Sequence, residues 1–295
     1  MRPDRFVGLR TPDPVTAELV DRGCCIVRAA LPRAEINSMS QAADDRFGAT
    51  PFCVGDFHGT RTKRFHRLLA RVPGSLALVL QPDVLGAARA VLGPWCDFPE
   101  LNLTQGVEVH PGAPAQIPHA DQSMWPVPKG AMELCVNVFW PFVEFTEANG
   151  ATRVWPGTHA IERDPSRDLG PPEICEAEPG DAIVVLGSTV HAAGANRTQA
   201  PRRGAIVSYC LGWLKAYENQ SLAYSPEFVR TLPDDAAALL GYRWHRPNLG
   251  TYDGQCPSIL LSGEVPDALP TVDALAPEHE TLVSDHAERQ RAAAA

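Results

Sequence analysis

Apolar residues recur at helical spacing in three segments of the N-terminal part of the chain. Gly23 ends the first segment, and the apolar run over 24–31 that follows predicts a buried strand. Pro32 opens the second segment, where proline fits a helix start. The predicted helices cover residues 14–22, 32–47 and 73–93. Residues 48–64 are rich in Gly, Thr and charge and have no clean period, so they predict a long loop of functional interest.

From residue 95 the pattern changes to short apolar runs separated by Pro, Gly and Asn. Short strands with turn signals between them are typical of a β-sandwich or barrel. The runs cover residues 100–112, 132–145, 181–187 and 202–214. We therefore expect a β core over about 95–213, against which the helical part over about 14–93 packs.

The remainder of the chain returns to a helical pattern. Residues 225–241 predict a helix with Ser225 as its N-cap. The polar tail over 277–295 ends in alanines and predicts a frayed helix or a disordered end. With no internal repeat and one β core, we expect a single domain over residues 1–295.

Composition narrows the class of protein. The 295 residues are 44% hydrophobic and carry a formal net charge of -9, so a sizeable core is possible and nucleic acid is not an expected partner. No apolar run approaches the roughly 20 residues that span a bilayer, and the N-terminus lacks a signal-peptide pattern. No C-x-x-C pair occurs among the 8 cysteines, which disfavours a structural zinc site. We expect a cytoplasmic protein that contacts no membrane.

The stretch QIPHADQSMWP (116–126) contains a histidine and an aspartate two residues apart, His119 and Asp121. On a strand, residues i and i+2 share a face, so both side chains would enter one cavity. Two histidines and one carboxylate with open positions form the facial triad of non-haem Fe(II) oxygenases. The pair alone can arise by chance, or as a solvated polar pair before a turn, so a third ligand is required.

The third ligand is expected from a later strand, and two histidines qualify. His159 directly follows a Pro-Gly turn, which favours a role in the turn or in supporting a ligand. His191 lies at the far end of the apolar strand that begins at Asp181. A histidine there could also do no more than bond the backbone at the strand end.

Two arginines at the head of the next strand, Arg202 and Arg203, favour the metal interpretation. A dicarboxylate co-substrate needs a fixed guanidinium, because its planar fork binds a carboxylate through two hydrogen bonds. An α-keto acid would chelate the metal at one end and reach an arginine at the other. Only one of the two arginines would face the site if the strand is regular.

These motifs carry a resemblance to a known family. The order is H-x-D, then NGATRVWPGTH (149–159), GDAIVVLGSTVHAAGANRT (180–198) and PRR (201–203). This order resembles the phytanoyl-CoA dioxygenase (PhyH-like) family of Fe(II)/2-oxoglutarate-dependent oxygenases, and the resemblance covers about residues 14–257. The fold it implies is mainly β with flanking helices, built on a double-stranded β-helix, a jelly-roll or cupin-like core.

The resemblance also implies roles for individual residues. The iron ligands would be His119, Asp121 and His191. Arg202 would bind the distal carboxylate of 2-oxoglutarate, with Arg203 as the alternate. The remaining positions are two further co-substrate contacts, Gln116 and Thr152, and one residue that orders the turn or supports a ligand, Asn196.

The activity implied is oxidation of an unactivated C–H bond, hydroxylation first, with Fe(II), 2-oxoglutarate and O2 as cofactors and release of succinate and CO2. Halogenating members replace the ligand carboxylate by Ala or Gly, so Asp121 implies an enzyme that is not a halogenase.

The substrate is expected to be a small, partly apolar molecule. The candidate pocket residues are Trp125, Met124, Phe57 and Trp213, although aromatic side chains more often pack in cores. Further aromatic candidates are Phe52, His58 and Tyr217. A basic cluster could meet an anionic substrate, but a solvated face is the usual interpretation for each member: Arg61, Lys63 and Arg64. The high Ala, Arg and Pro content is typical of a GC-rich bacterium, which suggests natural-product biosynthesis.

Two other functional classes stay open at this point. One is a jelly-roll binding protein that has lost turnover. The other is a cupin-like metalloenzyme, such as an isomerase or hydrolase, that does not use 2-oxoglutarate. The oligomeric state is not indicated by any sequence feature.

Overall fold

The computed structural model describes residues 13–160 and 168–294. The helices are α1 Pro14–Arg22, α2 Arg33–Ala42, α3 Asp44–Ala49, α4 Leu68–Arg71, α5 Leu76–Leu80, α6 Pro82–Leu92, α7 Gln220–Ala223, α8 Pro226–Val229, α9 Asp234–Leu239 and α10 Pro277–Ala294. The strands are β1 Cys24–Val27, β2 Thr62–His66, β3 Pro99–Val109, β4 Cys135–Pro141, β5 Thr152–Val154, β6 Glu173–Cys175, β7 Ala182–Leu186, β8 His191–Ala193 and β9 Arg202–Leu211.

The strands form two antiparallel sheets that face each other. The larger sheet has six strands in the order β1-β7-β4-β9-β3-β2, and the smaller has three in the order β6-β5-β8. A bridge between His119 and His191 adds the segment 116–119 to the outer edge of β8. The predicted mainly-β architecture with flanking helices and a jelly-roll core is confirmed.

The larger sheet separates an apolar core from a cavity. On β4, Val136, Val138 and Trp140 point into the main core, where helices including α1 and α6 cover the sheet. The intervening Asn137 and Phe139 point the other way and line the cavity between the sheets. Because successive strand residues alternate between faces, one strand contributes to folding on one side and to a site on the other.

Two predicted helices are each interrupted once. The helix predicted over 32–47 breaks at Ala43 into α2 and α3. The one predicted over 73–93 breaks before Pro82, which cannot continue the helical hydrogen-bond pattern. Gln81 caps the second half, because its side-chain oxygen accepts a 2.7 Å hydrogen bond from the amide of Val84.

The prediction of a loop over residues 48–64 is wrong for its last three residues. Residues from Thr62 belong to β2, which pairs along β3 as the edge strand of the larger sheet. The sequence conceals this strand because polar residues such as Lys63 and Arg64 fall on both of its faces. The strand predicted over 24–31 is likewise shorter and ends at Val27.

The C-terminal helical region also differs from the prediction. Pro233 divides the predicted helix over 225–241 into α8 and α9, and Ser225 makes no side-chain capping bond. The polar tail forms a regular helix, α10, in which no side chain is buried. None of the helices within the described residues is both long and apolar enough to cross a membrane.

Gly23 joins α1 to β1 at a point where a side chain has no room. Its φ of +80° lies in the left-handed region, and its amide donates a 2.8 Å hydrogen bond to Leu19. A Cβ atom built there would lie 2.5 Å from Nδ1 of His159 and closer still to the hydroxyl of Thr189. The close approach of the 158–160 turn to the start of β1 therefore depends on glycine.

We predict that Gly23→Ala lowers the free energy of unfolding by about 2–4 kcal/mol, because left-handed strain adds to a steric clash. Denaturant titration followed by circular dichroism measures the change. Gly86→Ala is the matched control, since Gly86 lies on the exposed side of α6 with nothing near its Cβ position. That control should gain about 0.5–1 kcal/mol, and equal losses in both variants would contradict the interpretation.

Candidate metal centre

Two backbone hydrogen bonds bring the histidines together. The amide of His119 donates to the carbonyl of His191 at 3.0 Å, and the amide of His191 donates back at 2.8 Å. The sequence interpretation placed Asp121 on a strand, and this is wrong. Asp121 begins a short 3-10 helix over Asp121–Met124. This turn still directs its carboxylate to the two imidazoles. Nε2 of His119 lies 3.3 Å and Nε2 of His191 lies 3.5 Å from its oxygens.

The second ring nitrogen of each histidine is held by the backbone. Nδ1 of His119 lies 2.9 Å from the carbonyl oxygen of Ile117, and Nδ1 of His191 lies 3.1 Å from that of Thr189. A carbonyl oxygen only accepts, so each Nδ1 carries the hydrogen. Each Nε2 therefore points to Asp121: protonated, it donates to the carboxylate, and deprotonated, its lone pair is free to bind a metal ion, which is how metal-ligating histidines are usually oriented.

The carboxylate of Asp121 is also oriented from behind. The side-chain amide of Asn137 donates a 3.0 Å hydrogen bond to Oδ2. Burial favours the protonated acid, but the charge of His191 and the hydrogen bonds of both histidines outweigh it and hold the pKa of Asp121 well below its usual range. The ionised carboxylate that a cation requires is therefore favoured at neutral pH.

The three side chains suit a divalent transition metal. Among the described residues they are the one group of three His, Cys, Asp or Glu side chains whose ligand atoms converge, within 4.8 Å of one another. Imidazole and carboxylate together are the donors of the facial triad that binds Fe(II) and leaves positions open. The donor set, the orientation of each ring and the ionised carboxylate all fit such an ion.

The centre opens into a cavity of about 430 Å³ between the two sheets. Arg202, at the start of β9, is 7% exposed and turns its guanidinium into this cavity, 4.6 Å from the ring centre of Phe145. One of its nitrogens donates to the carbonyl of Gly150, while its Nε has no protein partner. Burial, with a smaller contribution from Arg64, lowers the pKa of Arg202 to about 10, so it stays charged at neutral pH. No acidic side chain in the described part of the chain forms an ion pair with it.

Arg203 faces the opposite side of the sheet. It forms ion pairs with Glu108 and Asp44, and its guanidinium lies 5.1 Å from the ring centre of Phe47. Its charge is thus already paired outside the cavity. The strand alternation used in the sequence interpretation is correct for this pair of arginines.

Gln116 and Thr152 both line the cavity. The amide nitrogen of Gln116 donates a 3.1 Å hydrogen bond to the carbonyl of Phe57, which ties the edge of the smaller sheet to the preceding loop. Thr152 lies in β5 and is 4% exposed. Both side chains therefore face the cavity that also contains the metal centre and Arg202.

Asn196 and His159 lie outside the group of three metal-ligand side chains. Asn196 orders the turn after β8, since its side chain donates 2.9 Å hydrogen bonds to the carbonyls of Val109 and Ala200. His159 lies in a buried 3-10 turn, and its Nε2 is 3.1 Å from the carbonyl of Val20. The sequence left each residue as a turn residue or a support for a ligand, and these contacts are those of turn residues.

The candidate pocket residues divide into two pairs. Phe57 and Met124 line the cavity, and the ring of Phe57 lies 5.0 Å from that of His119. Trp125 and Trp213 do not line it, which corrects the sequence expectation. Their indole nitrogens donate to carbonyls elsewhere, that of Trp125 to Lys215 at 3.0 Å and that of Trp213 to Trp95 at 2.9 Å.

Sequence reasoning underestimated the polar side of the cavity. Arg64, expected on a solvated face, lines it, and so do His58 and Tyr217. One signal was present in the sequence. Phe65 is apolar and belongs to the core, so in a strand its neighbour Arg64 must face the other way. By contrast Arg61 is exposed and Lys63 donates to the carbonyl of Phe47.

The sequence is similar to that of known dioxygenases. A model of the family described as phytanoyl-CoA dioxygenase (PhyH) matches residues 19–204. The multifunctional dioxygenase prhA of Penicillium brasilianum is 27% identical over 262 residues, which are 82% of this chain and 86% of that protein.

Two solved structures share the fold. EctD from S. alaskensis, with bound Fe, has a TM-score of 0.59 and 17% identity over 73% of this chain and 84% of its own. HygX from Streptomyces hygroscopicus, with nickel, 2-oxoglutarate and hygromycin B bound, has a TM-score of 0.55 and 12% identity over 70% of this chain and 90% of its own. The family match covers α2 to α6, the histidine bridge and the first residues of β9, which include Arg202, and on that ground the chain belongs to the phytanoyl-CoA dioxygenase family.

Proposed function

We propose that this protein is an Fe(II)- and 2-oxoglutarate-dependent dioxygenase that hydroxylates an unactivated C–H bond of a small molecule. The observation that carries the proposal is the combination of two features in one cavity. A converged His119, Asp121 and His191 set faces the same space as the buried guanidinium of Arg202, which forms no ion pair with any described residue. A metal and a distant fixed cation together suit a dicarboxylate that carries a keto group.

In this proposal the protein holds and orients the co-substrate. Arg202 binds the distal carboxylate, and Phe145 and Gly150 fix the guanidinium so that little motion is lost on binding. Gln116 and Thr152 line the path between that carboxylate and the metal. The bound iron supplies the oxidation chemistry, using O2 and the co-substrate, with succinate and CO2 released.

Oxygen insertion is favoured over halogenation because Asp121 occupies the ligand position that a halide would need. Its carboxylate is held ionised and is bonded by Asn137, which keeps it at the metal. Apolar side chains such as Phe57 and Phe139 flank the two histidines, at ring distances of 5.0 Å and 5.6 Å. They give the space beside the histidines a partly apolar wall, against which an apolar part of a substrate would lie.

A small, partly apolar substrate in natural-product biosynthesis fits the mixed lining of the cavity. HygX has hygromycin B bound in its structure, and prhA is a multifunctional dioxygenase. A bacterial source, a cytoplasmic location and a single-domain organisation stay predictions from the sequence. The alternatives, a binding protein without turnover and a cupin-like metalloenzyme without 2-oxoglutarate, are separated by the first experiment.

We predict that Fe(II) and 2-oxoglutarate, added without oxygen, give a weak visible charge-transfer absorption. His119→Ala and Asp121→Ala should abolish it, because each removes one of three protein ligands. Oxygen should then yield succinate only when 2-oxoglutarate is present. Anaerobic absorption titration and succinate assay measure the two effects.

His159→Ala is the control for these variants, because it removes a buried histidine outside the centre. It should keep the absorption once the folded fraction is matched by circular dichroism. Absorption that survives in both ligand variants, or activity without any keto acid, would show that the proposal is wrong.

We predict that Arg202→Gln weakens 2-oxoglutarate binding by about 10–100-fold, the worth of a charge-assisted hydrogen-bond pair. Fe(II) affinity should change far less, since Arg202 contacts no metal ligand. Arg203→Gln is the matched control and should lower stability with little effect on 2-oxoglutarate, because it pairs with Glu108 and Asp44 outside the cavity. Calorimetric titration under nitrogen compares them, and a larger effect from Arg203→Gln would reverse the assignment.

We predict that Asn137→Ala weakens Fe(II) binding by about 10–100-fold, because side chains that orient a ligand have effects of this size. Asn137 is the amide that bonds Asp121. Asn102→Ala removes a second buried amide of the same cavity, one bonded to Ser208 and Tyr217, and should leave iron affinity nearly unchanged. Competition with a metal-binding dye measures both, and equal affinities in the two variants would contradict the role of Asn137.

A further inference from the structure

Gln105 connects two side chains of edge strand β2. Arg64 and His66 lie two residues apart on that strand and point to the same face, while Phe65 between them is buried in the core. Gln105 of β3 is the direct cross-strand neighbour of His66 and lines the cavity together with Arg64. Its side-chain oxygen accepts a 2.7 Å hydrogen bond from Arg64, and its side-chain nitrogen lies 2.7 Å from Nε2 of His66. One buried amide therefore bridges a cation of the cavity and an imidazole.

This bridge determines which nitrogen of His66 carries the hydrogen. The amide nitrogen of Gln105 only donates, so Nε2 of His66 accepts, and the neutral ring carries its hydrogen on Nδ1. Nδ1 lies 3.9 Å from a carboxylate oxygen of Glu218, which suits a ring that presents a hydrogen on that side. The lone pair of Nε2 in turn keeps the amide of Gln105 oriented with its oxygen toward Arg64.

The segment after β9 holds His66 in place. The ring of Tyr217 stacks on the imidazole, with ring centres 5.8 Å apart and planes 9° from parallel. The backbone amides of Tyr217 and Glu218 donate to Asn102, at 2.7 Å and 3.0 Å respectively. The stacked ring cannot easily turn away from Gln105, so a change in its protonation state acts on that amide.

Protonation of His66 would set two donors against the one oxygen of Gln105. The imidazolium carries hydrogens on both nitrogens, so Nε2 can no longer accept from the amide. Rotation of the amide by half a turn would give its oxygen to Nε2, and its nitrogen would then face the guanidinium of Arg64, donor against donor. Arg64 would lose the side-chain oxygen that holds it in the cavity. His66 and Arg64 therefore compete for Gln105 when both are charged.

The surroundings of His66 keep the ring neutral near pH 7. Burial lowers the pKa of His66 from its ordinary value, and the charges of Arg64, His58 and Arg71 lower it further. Protonation therefore requires a more acidic solution than it does for an ordinary histidine. The side chain is nevertheless 33% exposed, so it exchanges protons with solvent.

Several elements contribute ionisable groups around this ring. They are Arg64 on β2, His58 in the preceding loop, Arg71 of α4, which donates to the carbonyl of His66, and Tyr217 and Glu218 after β9.

The position of Arg64 affects the binding of anions in the cavity. Under the proposed function, on which this step rests, the anion is 2-oxoglutarate, a dianion. Arg64 and Arg202 line the same cavity, so both attract it. A guanidinium that its neighbours fix in place contributes more to binding than one that must first be ordered.

We propose that His66 is a positioning residue, which when neutral fixes Gln105 so that Arg64 stays oriented in the cavity, and when protonated takes the oxygen of Gln105 and releases Arg64. The affinity for 2-oxoglutarate then has a pH dependence that originates at β2, apart from the titration of the metal ligands. Gln105 transmits the change because it has one oxygen and serves two donors.

Nitrogen NMR of the protein with isotope-labelled histidine tests the tautomer without metal or co-substrate. The signals of His66 are identified by their loss in His66→Phe. We expect the Nδ1–H tautomer at about pH 8 and conversion to the imidazolium as the pH falls toward about 5. The Nε2–H tautomer at about pH 8 would reverse the orientation of Gln105 and overturn the proposal.

Calorimetric titration under nitrogen, at saturating Fe(II), tests the effect on the co-substrate. The measured quantity is the factor by which Arg64→Gln raises the Kd for 2-oxoglutarate. We expect this factor to fall by about 3–10-fold from about pH 8 to about pH 5, the range of one hydrogen bond. In the His66→Phe background the factor should be the same at both pH values, because a phenyl ring keeps the stack on Tyr217 but cannot be protonated. Titration of the metal ligands affects all four proteins alike and cancels in this comparison.

His110→Phe is the matched control. His110 follows β3, lies 2.6 Å from a carboxylate oxygen of Glu108 and packs on the ring of Phe52, and it does not line the cavity. This variant should keep the pH dependence of the wild-type protein. Thermal unfolding of each variant confirms that folded proteins are compared.

Three binding results would also overturn the proposal. The first is an Arg64→Gln variant with unchanged affinity for 2-oxoglutarate at about pH 8. The second is a factor that does not change with pH, and the third is a factor that changes equally in the His66→Phe background. Failure of the proposed function is distinct from these, because the wild-type protein would then bind neither Fe(II) nor 2-oxoglutarate while His66 still showed the expected tautomer.

Discussion

The pair of backbone hydrogen bonds between His119 and His191 is the interaction on which the site depends. It joins the segment before Asp121 to the outer edge of the smaller sheet and sets both imidazoles on the same side. The turn that follows directs Asp121 toward the two imidazoles. It is held in place because the amide of Gln122 donates a hydrogen bond to the carbonyl of Gly187. A bridge of two residues, far apart in sequence, thus replaces the continuous strand that the motif H-x-D suggests.

The larger sheet has an apolar face and a polar face, because successive residues of each strand point to opposite sides. Its outer face packs Val138, Trp140 and Tyr209 beneath helices, and this apolar burial stabilises the fold. Its inner face carries two cations, the buried Arg202 and the partly buried Arg64, and the buried one is unfavourable without an anion. Stability and ligand affinity are therefore linked through the same strands. The apolar face offsets the cost of a cavity that is preorganised for negatively charged molecules.

Much of this was predictable from the sequence, and the omissions have identifiable causes. The long apolar strands were visible because burial on both faces leaves a strong pattern, as in β7. The histidine and arginine positions could be assigned because they lie at the ends of such strands. Edge strand β2 was missed because its inner face is polar and functional, so Arg64 seemed solvated. Trp125 and Trp213 were misplaced because an aromatic residue near a ligand in sequence can satisfy its indole on a distant carbonyl. Such assignments need the tertiary fold.

Groups of the protein orient each of the metal ligands. Ile117 and Thr189 hold the two imidazoles through backbone carbonyls, and Asn137 holds the carboxylate. The ordering of these side chains is thus achieved during folding and is not deducted from the free energy of metal binding. The same reasoning extends to the arginines, which Gly150 and Gln105 fix in the absence of any ligand. The cavity thus presents its cations in fixed positions, which suits the negatively charged co-substrate proposed above.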